Sequence, residues 1–74
     1  MSMNDCIQNY INGNIRDAKR QAKRYSHKAL RNQMYVAWGY NAESANTIAL
    51  FLKGRASWEQ ACNAQYKSTL HNAH

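Results

Sequence analysis

No proline interrupts this chain of 74 residues, and its only glycines are Gly13, Gly39 and Gly54. Proline and glycine are the strongest local punctuators of backbone structure, and tight strand-to-strand turns draw on them heavily. A chain with three such stops and long polar and apolar stretches between them reads as helices. The spacing predicts an all-α fold, a compact bundle of four or five short helices built from helical hairpins. At this length it forms one domain, residues 1–74, with a small core.

The apolar pattern supplies the helices one by one. Cys6, Ile7, Tyr10 and Ile11 form a stripe on a first helix over Asn4 to Asn12, and Gly13 ends it, since glycine takes the left-handed conformation at no Cβ penalty. Asn14 is placed to cap a second helix beginning Ile15-Arg16-Asp17-Ala18, with Asp17 in the first turn, where the helix dipole favours negative charge. Ile15, Ala18, Ala22, Tyr25 and Ala29 then recur within about 80° of arc. Leu30, Met34, Ala37 and Trp38 form a stripe displaced round the axis, so residues 14–38 are expected to bend or break near Tyr25 to His27 and not to run as one helix. Beyond Gly39, Asn41 caps a helix through Lys53 with Ala45, Ile48, Ala49 and Leu52 inward, and Gly54 closes it. Ser57-Trp58-Glu59-Gln60 has the form of a capping box. It opens a last helix to about Lys67 that buries Trp58, Ala61, Cys62 and Gln65 or Tyr66, with 70–74 fraying. The Gly13 and Gly54 turns share a pattern, an aromatic-aliphatic pair before the glycine and small residues after it (Ala18 and Ala22, Ala61 and Ala64). Small residues let helix axes approach closely.

Charge is the second organising feature. The formal net charge is +6 and the pI near 9.7, which excludes an acidic mimic of nucleic acid and favours a negatively charged partner. A hydrophobic share of 45% excludes a disordered basic tail. The imbalance is local: Arg16, Lys19, Arg20, Lys23, Arg24, Lys28 and Arg31 stand against Asp17 alone, so residues 16–31 carry the equivalent of the whole excess. Drawn as one helix, these cations and His27 would cover about half the circumference, opposite the Ile15 to Tyr25 stripe, as a ridge about 24 Å long. A helix that is merely solvated mixes signs to gain ion pairs. The candidate binding residues are therefore Arg16, Lys19, Arg20, Lys23, Arg24, His27, Lys28 and Arg31, with Tyr35 and Tyr40 as possible aromatic anchors. A DNA-reading helix mixes amides and hydroxyls among its cations. Only Gln21 and Ser26 supply these here, so cations with Tyr25 nearby are closer to an arginine-rich RNA-binding helix; the runner-up DNA-reading segment is Asn32, Gln33 and Tyr35 beyond Arg31.

Other chemistries find little purchase. The longest apolar run, Ile48 to Leu52, is far shorter than the roughly 20 residues of a membrane span, and the polar N-terminus does not read as a signal for export. Cys6 and Cys62 fit a reducing cytoplasm, with a single bridge between them the other possibility. Neither has an evident base, since His27 lies among the cations with no orienting carboxylate. His71 and His74 lack the further ligands that zinc requires. No catalytic group, metal, cofactor or small-molecule substrate is expected.

In Gly13-Asn14-Ile15 leading to Ala18-Lys19-Arg20 and Ala22-Lys23-Arg24-Tyr25-Ser26, then Gly39-Tyr40-Asn41 leading to Ile48-Ala49 and Leu52-Lys53-Gly54, the chain resembles the small, all-helical accessory proteins of bacteriophages and plasmids. That resemblance implies a class that binds and blocks host machinery, anti-CRISPR and other anti-defence proteins among them, in a host bacterial cytoplasm. The expected function is non-enzymatic binding of a nucleic acid or host nucleoprotein complex through the basic ridge, as a phage-type inhibitor. The alternative is a small DNA- or RNA-binding transcriptional regulator.

Overall fold

The way each helix starts and stops explains the architecture. A computed structural model describes residues 2–72, with side chains for residues 2–68. It contains five helices: α1 (Met3–Ile11), α2 (Ile15–Ala22), α3 (His27–Ala37), α4 (Ala42–Leu52) and α5 (Trp58–Asn72). No strand occurs among the described residues.

Four of the five helix starts carry a side-chain cap. Ser26 Oγ accepts from the Ala29 amide at 3.1 Å, and Asn41 Oδ1 from the Ser44 amide at 2.7 Å. Ser57 and Gln60 form the expected box, Ser57 N donating to Gln60 Oε1 at 2.8 Å and Gln60 N to Ser57 Oγ at 3.1 Å. A second box precedes α1, where Ser2 and Asp5 exchange the same two bonds. Asn14 departs from expectation. Its side chain makes no cap bond on α2; its amide instead donates to Asn9 Oδ1 at 3.3 Å, tying the turn back to α1.

The two glycine turns singled out by their sequence share one hydrogen-bond pattern. Gly13 N donates to Tyr10 O and Asn14 N to Asn9 O; Gly54 N donates to Phe51 O and Arg55 N to Leu50 O. Both are Schellman closures, which need a left-handed residue at the glycine, and φ is +86° at Gly13 and +80° at Gly54. A Cβ at either position would meet no atom within 4 Å, so backbone conformation and not space selects glycine.

The bend expected near Tyr25 to His27 is a full break. After Ala22 the amides of Lys23, Arg24 and Tyr25 each bond three residues back, the tightened form of a helix end, and Ser26 turns extended to start α3. This leaves the Ala22 and Tyr25 carbonyls facing α4. Lys53 Nζ, from the end of α4, donates to both, at 3.1 Å and 2.8 Å.

Packing follows from these stops. α1 lies on α2, while α4 packs on both α3 and α5 and is the central helix. It buries Ser44, Ala45, Ile48, Ala49, Phe51 and Leu52. Ile7, Leu30, Met34 and Ile48 are the large side chains sealed in the core, with Cys6, Ala18 and Ala22 on the α1 and α2 seam and Ala61 and Ala64 on the inner side of α5. Close approach at the first seam is direct, since the Cys6 thiol donates to the Ala18 carbonyl at 3.2 Å. Polar pins hold the ends. Asn4 Oδ1 accepts from Gln33 Nε2 at 2.8 Å and Trp38 Nε1 at 3.1 Å, and Asn41 N donates to Ser68 Oγ at 3.3 Å. The radius of gyration, 10.9 Å, is that of a compact chain of this length.

Several inward assignments change. Ala37 and Ile11 are exposed, and on α5 so are Trp58, Cys62 and Tyr66. The face of α5 turned to α4 is instead Ala61, Ala64 and Ser68, small residues that let the axes come close. α5 runs to Asn72, beyond the expected end near Lys67; the fraying expected to its end falls in part on residues 73–74, outside those described.

Two expectations follow for stability. Lys53→Met keeps the apolar stem but removes a charged donor from two carbonyls, and it should cost about 2 kcal/mol. Thermal unfolding would then show Tm lower by roughly 8–16 °C. The second concerns alkaline pH. Burial, reinforced by Tyr40 and Cys62, pushes the Tyr10 phenol above its ordinary value of 10.0, and burial does the same to Tyr40 against the opposing bond from Gln65. Above pH 10 the unfolded tyrosines lose protons that the folded ones hold more tightly, so the folded state binds more protons and stability falls as pH rises. Denaturant titrations across this range should show that fall, and Tyr10→Phe should make it shallower.

Candidate functional site

The cations singled out in the sequence are distributed over three consecutive segments. Arg16, Lys19 and Arg20 lie on α2, Lys23 and Arg24 in the connection, and His27, Lys28 and Arg31 on α3. The single straight ridge of a continuous helix is therefore absent, because Ser26 restarts the backbone in a new direction. All eight remain at the surface or half-buried: Arg16, Arg20, Lys23, Arg24 and Lys28 are exposed, and Lys19, His27 and Arg31 are half-buried.

Their surroundings differ. Arg20 pairs with Asp17 at 2.9 Å, an exposed i, i+3 ion pair of small energetic weight. Lys19 Nζ sits 4.3 Å from the centre of the Phe51 ring, a cation–π contact that leans its charge onto the end of α4. Lys19 and Lys23 share a small cavity of about 200 Å³ with Leu52, Lys53 and Gly54. His27 Nε2 lies 2.6 Å from Asn46 Oδ1 on α4. Arg31 makes a long contact, 3.4 Å, to Asn32 Oδ1. Arg16, Lys23, Arg24 and Lys28 form no ion pair among the described residues. Of the eight, these four are the most open to an external anion.

The aromatic anchors divide. Tyr35 is 56% exposed on α3, as an anchor requires. Tyr40 is not one. It is only 6% exposed, and its hydroxyl donates to Gln65 Oε1 at 2.7 Å, so the ring belongs to the core and the hydroxyl to the α5 contact. Tyr25 also packs against the core. Gln33, offered as a base reader, spends its amide on Asn4.

Two surface features escaped the sequence reading. One is a cleft of about 540 Å³ between α3 and α4, lined by Arg31, Asn32, Tyr35, Ala42, Glu43 and Asn46. Its signal was available: Lys28, Arg31, Asn32 and Tyr35 stand at i, i+3, i+4 and i+7, one face of a helix. The other is an uncharged cleft of about 430 Å³ lined by Tyr10, Ile11, Gly13, Trp58, Cys62, Gln65 and Tyr66. Its exposed side chains at 58, 62 and 66 follow an i, i+4, i+8 row that the choice of Ala61 and Ala64 as the inner face turns outward. Trp58 also leans on Phe51, with ring centroids 5.4 Å apart.

The thiols are both free, Cys6 buried and Cys62 exposed, so the bridge between them is not formed. Burial pushes the Cys6 thiol up, outweighing the opposing charge of Lys53. No group of three or more His, Cys, Asp or Glu residues is arranged to hold a metal ion among the described residues, and the side chains of His71 and His74 lie outside them. No described helix is long and apolar enough to cross a membrane. No protein-family model matches this chain, nor does any curated protein or solved structure.

The difference between the thiols is directly measurable. Iodoacetamide at neutral pH should label Cys62 in the native protein while Cys6 reacts only after unfolding, since a buried thiol with a raised pKa offers neither access nor thiolate. Mass spectrometry of the labelled peptides reads both sites, and equal labelling of the native protein would contradict the burial of Cys6.

Proposed function

We propose that this protein is a non-enzymatic binding protein that engages the phosphates of a nucleic acid, free or within a host nucleoprotein complex, through the cations of α2, α3 and their connection. In keeping with the small phage and plasmid proteins it resembles, it acts as a stoichiometric inhibitor of a host complex that handles nucleic acid. The observation that supports this reading is the open group Arg16, Lys23, Arg24 and Lys28, exposed and without ion pairs among the described residues, in a stretch, residues 16–31, whose one acidic residue, Asp17, is paired to Arg20. Uncompensated like charge costs stability locally, and an anion relieves that cost. Tertiary structure turns these groups outward, because Ala18, Ala22, Leu30 and Met34 occupy the inner faces of the same two helices.

The spacing of α2 and α3 suits a helix-turn-helix, yet the packing does not. In that motif the two helices form one unit. Here α2 packs on α1 and α3 on α4, with little contact between them. A broad phosphate-binding face accords better with this arrangement than insertion of one recognition helix.

Binding of random duplex and single-stranded oligonucleotides across a salt series tests the proposal. Affinity should fall linearly on a log–log plot, with a slope proportional to the phosphates neutralised. The double reversal Arg24→Glu and Lys28→Glu should weaken binding and reduce the slope by about 2, at unchanged helicity. No binding at low salt would defeat the nucleic-acid reading. A pull-down from host lysate that survives nuclease would place the target on a protein surface instead.

A further inference from the structure

We infer that the cleft between α3 and α4 holds one unpaired base of a single-stranded nucleic acid, with the Tyr35 ring as its stacking platform. This rests on the cationic face acting on nucleic acid, and it adds which form of nucleic acid that face selects. Three observations converge on it.

The first is position. Lys28, Arg31, Asn32 and Tyr35 lie along one side of α3, so the aromatic ring continues the line of cations. Arg31 belongs to both, standing in the candidate binding face and lining the cleft. A strand tracking Arg24, Lys28 and Arg31 by its phosphates is thereby led to Tyr35.

The second is chemistry. The cleft is about 540 Å³, within the range of about 300–1,000 Å³ that small ligands occupy. It combines a ring that is 56% exposed with a guanidinium, the amides of Asn32 and Asn46, and the Glu43 carboxylate. A nucleotide uses all of these: the face of its planar base on Tyr35, its phosphate on Arg31, and the base edge on the amides and the carboxylate. An acidic peptide would use only Arg31 and would be repelled by Glu43. Asn46 is already oriented, because its Oδ1 lies 2.6 Å from His27 Nε2.

The third is exclusion. A base inside a duplex has both faces stacked and its pairing edge occupied, so it cannot reach Tyr35 or present free N–H groups to Glu43. Phosphate contacts alone accept duplex and single strand alike; the added aromatic platform favours the single strand.

Fluorescence anisotropy with a labelled single-stranded oligonucleotide and its matched duplex tests the inference on Tyr35→Ala, Tyr35→Phe and the Arg24→Glu, Lys28→Glu double variant. Tyr35→Ala should weaken single-strand binding roughly 5- to 150-fold, the range for losing one base-stacking ring, and leave duplex binding and the salt slopes unchanged. Tyr35→Phe keeps the ring and should keep single-strand affinity. Circular dichroism confirms the fold of each variant, which an exposed position tolerates. If Tyr35→Ala binds single strands as the parent does, or loses both forms equally, the cleft is not a base site even though the cationic face stands. If the double variant binds both forms unchanged, or the parent binds neither, the cationic face itself fails and this inference falls with it.

Discussion

The ammonium group of Lys53 reaching the Ala22 and Tyr25 carbonyls is the contact on which the placement of the cationic face depends. α2 is only eight residues long, too short to persist without tertiary support. A charged donor from the end of α4 bonds the last carbonyl of α2, at Ala22, and the Tyr25 carbonyl in the connection at once. That contact brings the connection between α2 and α3 against the central helix. It also fixes where Lys23 and Arg24 emerge. The positive charge stands at the carbonyl end of α2, where the helix dipole favours it, so a lysine is tolerated beside Lys19 and Lys23 that would otherwise be crowded by like charge.

The core and the cationic face are two sides of the same residues' spacing. α2 turns alanines inward, which allows α1 to approach until the Cys6 thiol meets a backbone carbonyl of α2. α3 turns Leu30 and Met34 into the core, leaving Lys28, Arg31, Asn32 and Tyr35 on a flank that borders the start of α4. In a chain of this size the buried surface is modest, and polar pins at helix ends share the load. Asn4 joins α1 to both Gln33 and Trp38, while Tyr40 and Asn41 join the start of α4 to α5. Three of these pins are long-range contacts between side chains that are ordinary in sequence, and none follows from helical periodicity.

The candidate site was legible in its charge and only partly in its shape. Seven cations against Asp17 can be counted in the sequence, and the inward Ala18 and Ala22 orient them outward by elimination. What escaped was how each cation is used. Lys19 lies over Phe51 and His27 against Asn46, contacts with partners on α4 far along the chain. Lys53, read as the end of a helix, serves as the strut. Tyr40 and Trp58 exchanged the roles expected of them, Tyr40 going inward and Trp58 outward. The presence of an aromatic ring says that it is worth burying, and only the neighbouring helix says on which side burial is available.

Local chemistry determined the helices themselves: where they begin, because Ser26, Asn41 and Ser57 supply oxygen acceptors to free amides, and where two of them close, because Gly13 and Gly54 take positive φ. These are interactions within a few residues, so the sequence alone carries them. The break after Ala22 was also visible, as two apolar stripes that one straight helix cannot bury together. Tertiary structure alone decided which face of α5 meets α4, that Asn14 serves its neighbour and not its own helix, and that α3 and α4 leave a cleft beside Tyr35. Each of these depends on how closely two axes approach. That distance is set by pairs of residues far apart in the chain, and no single helix contains it.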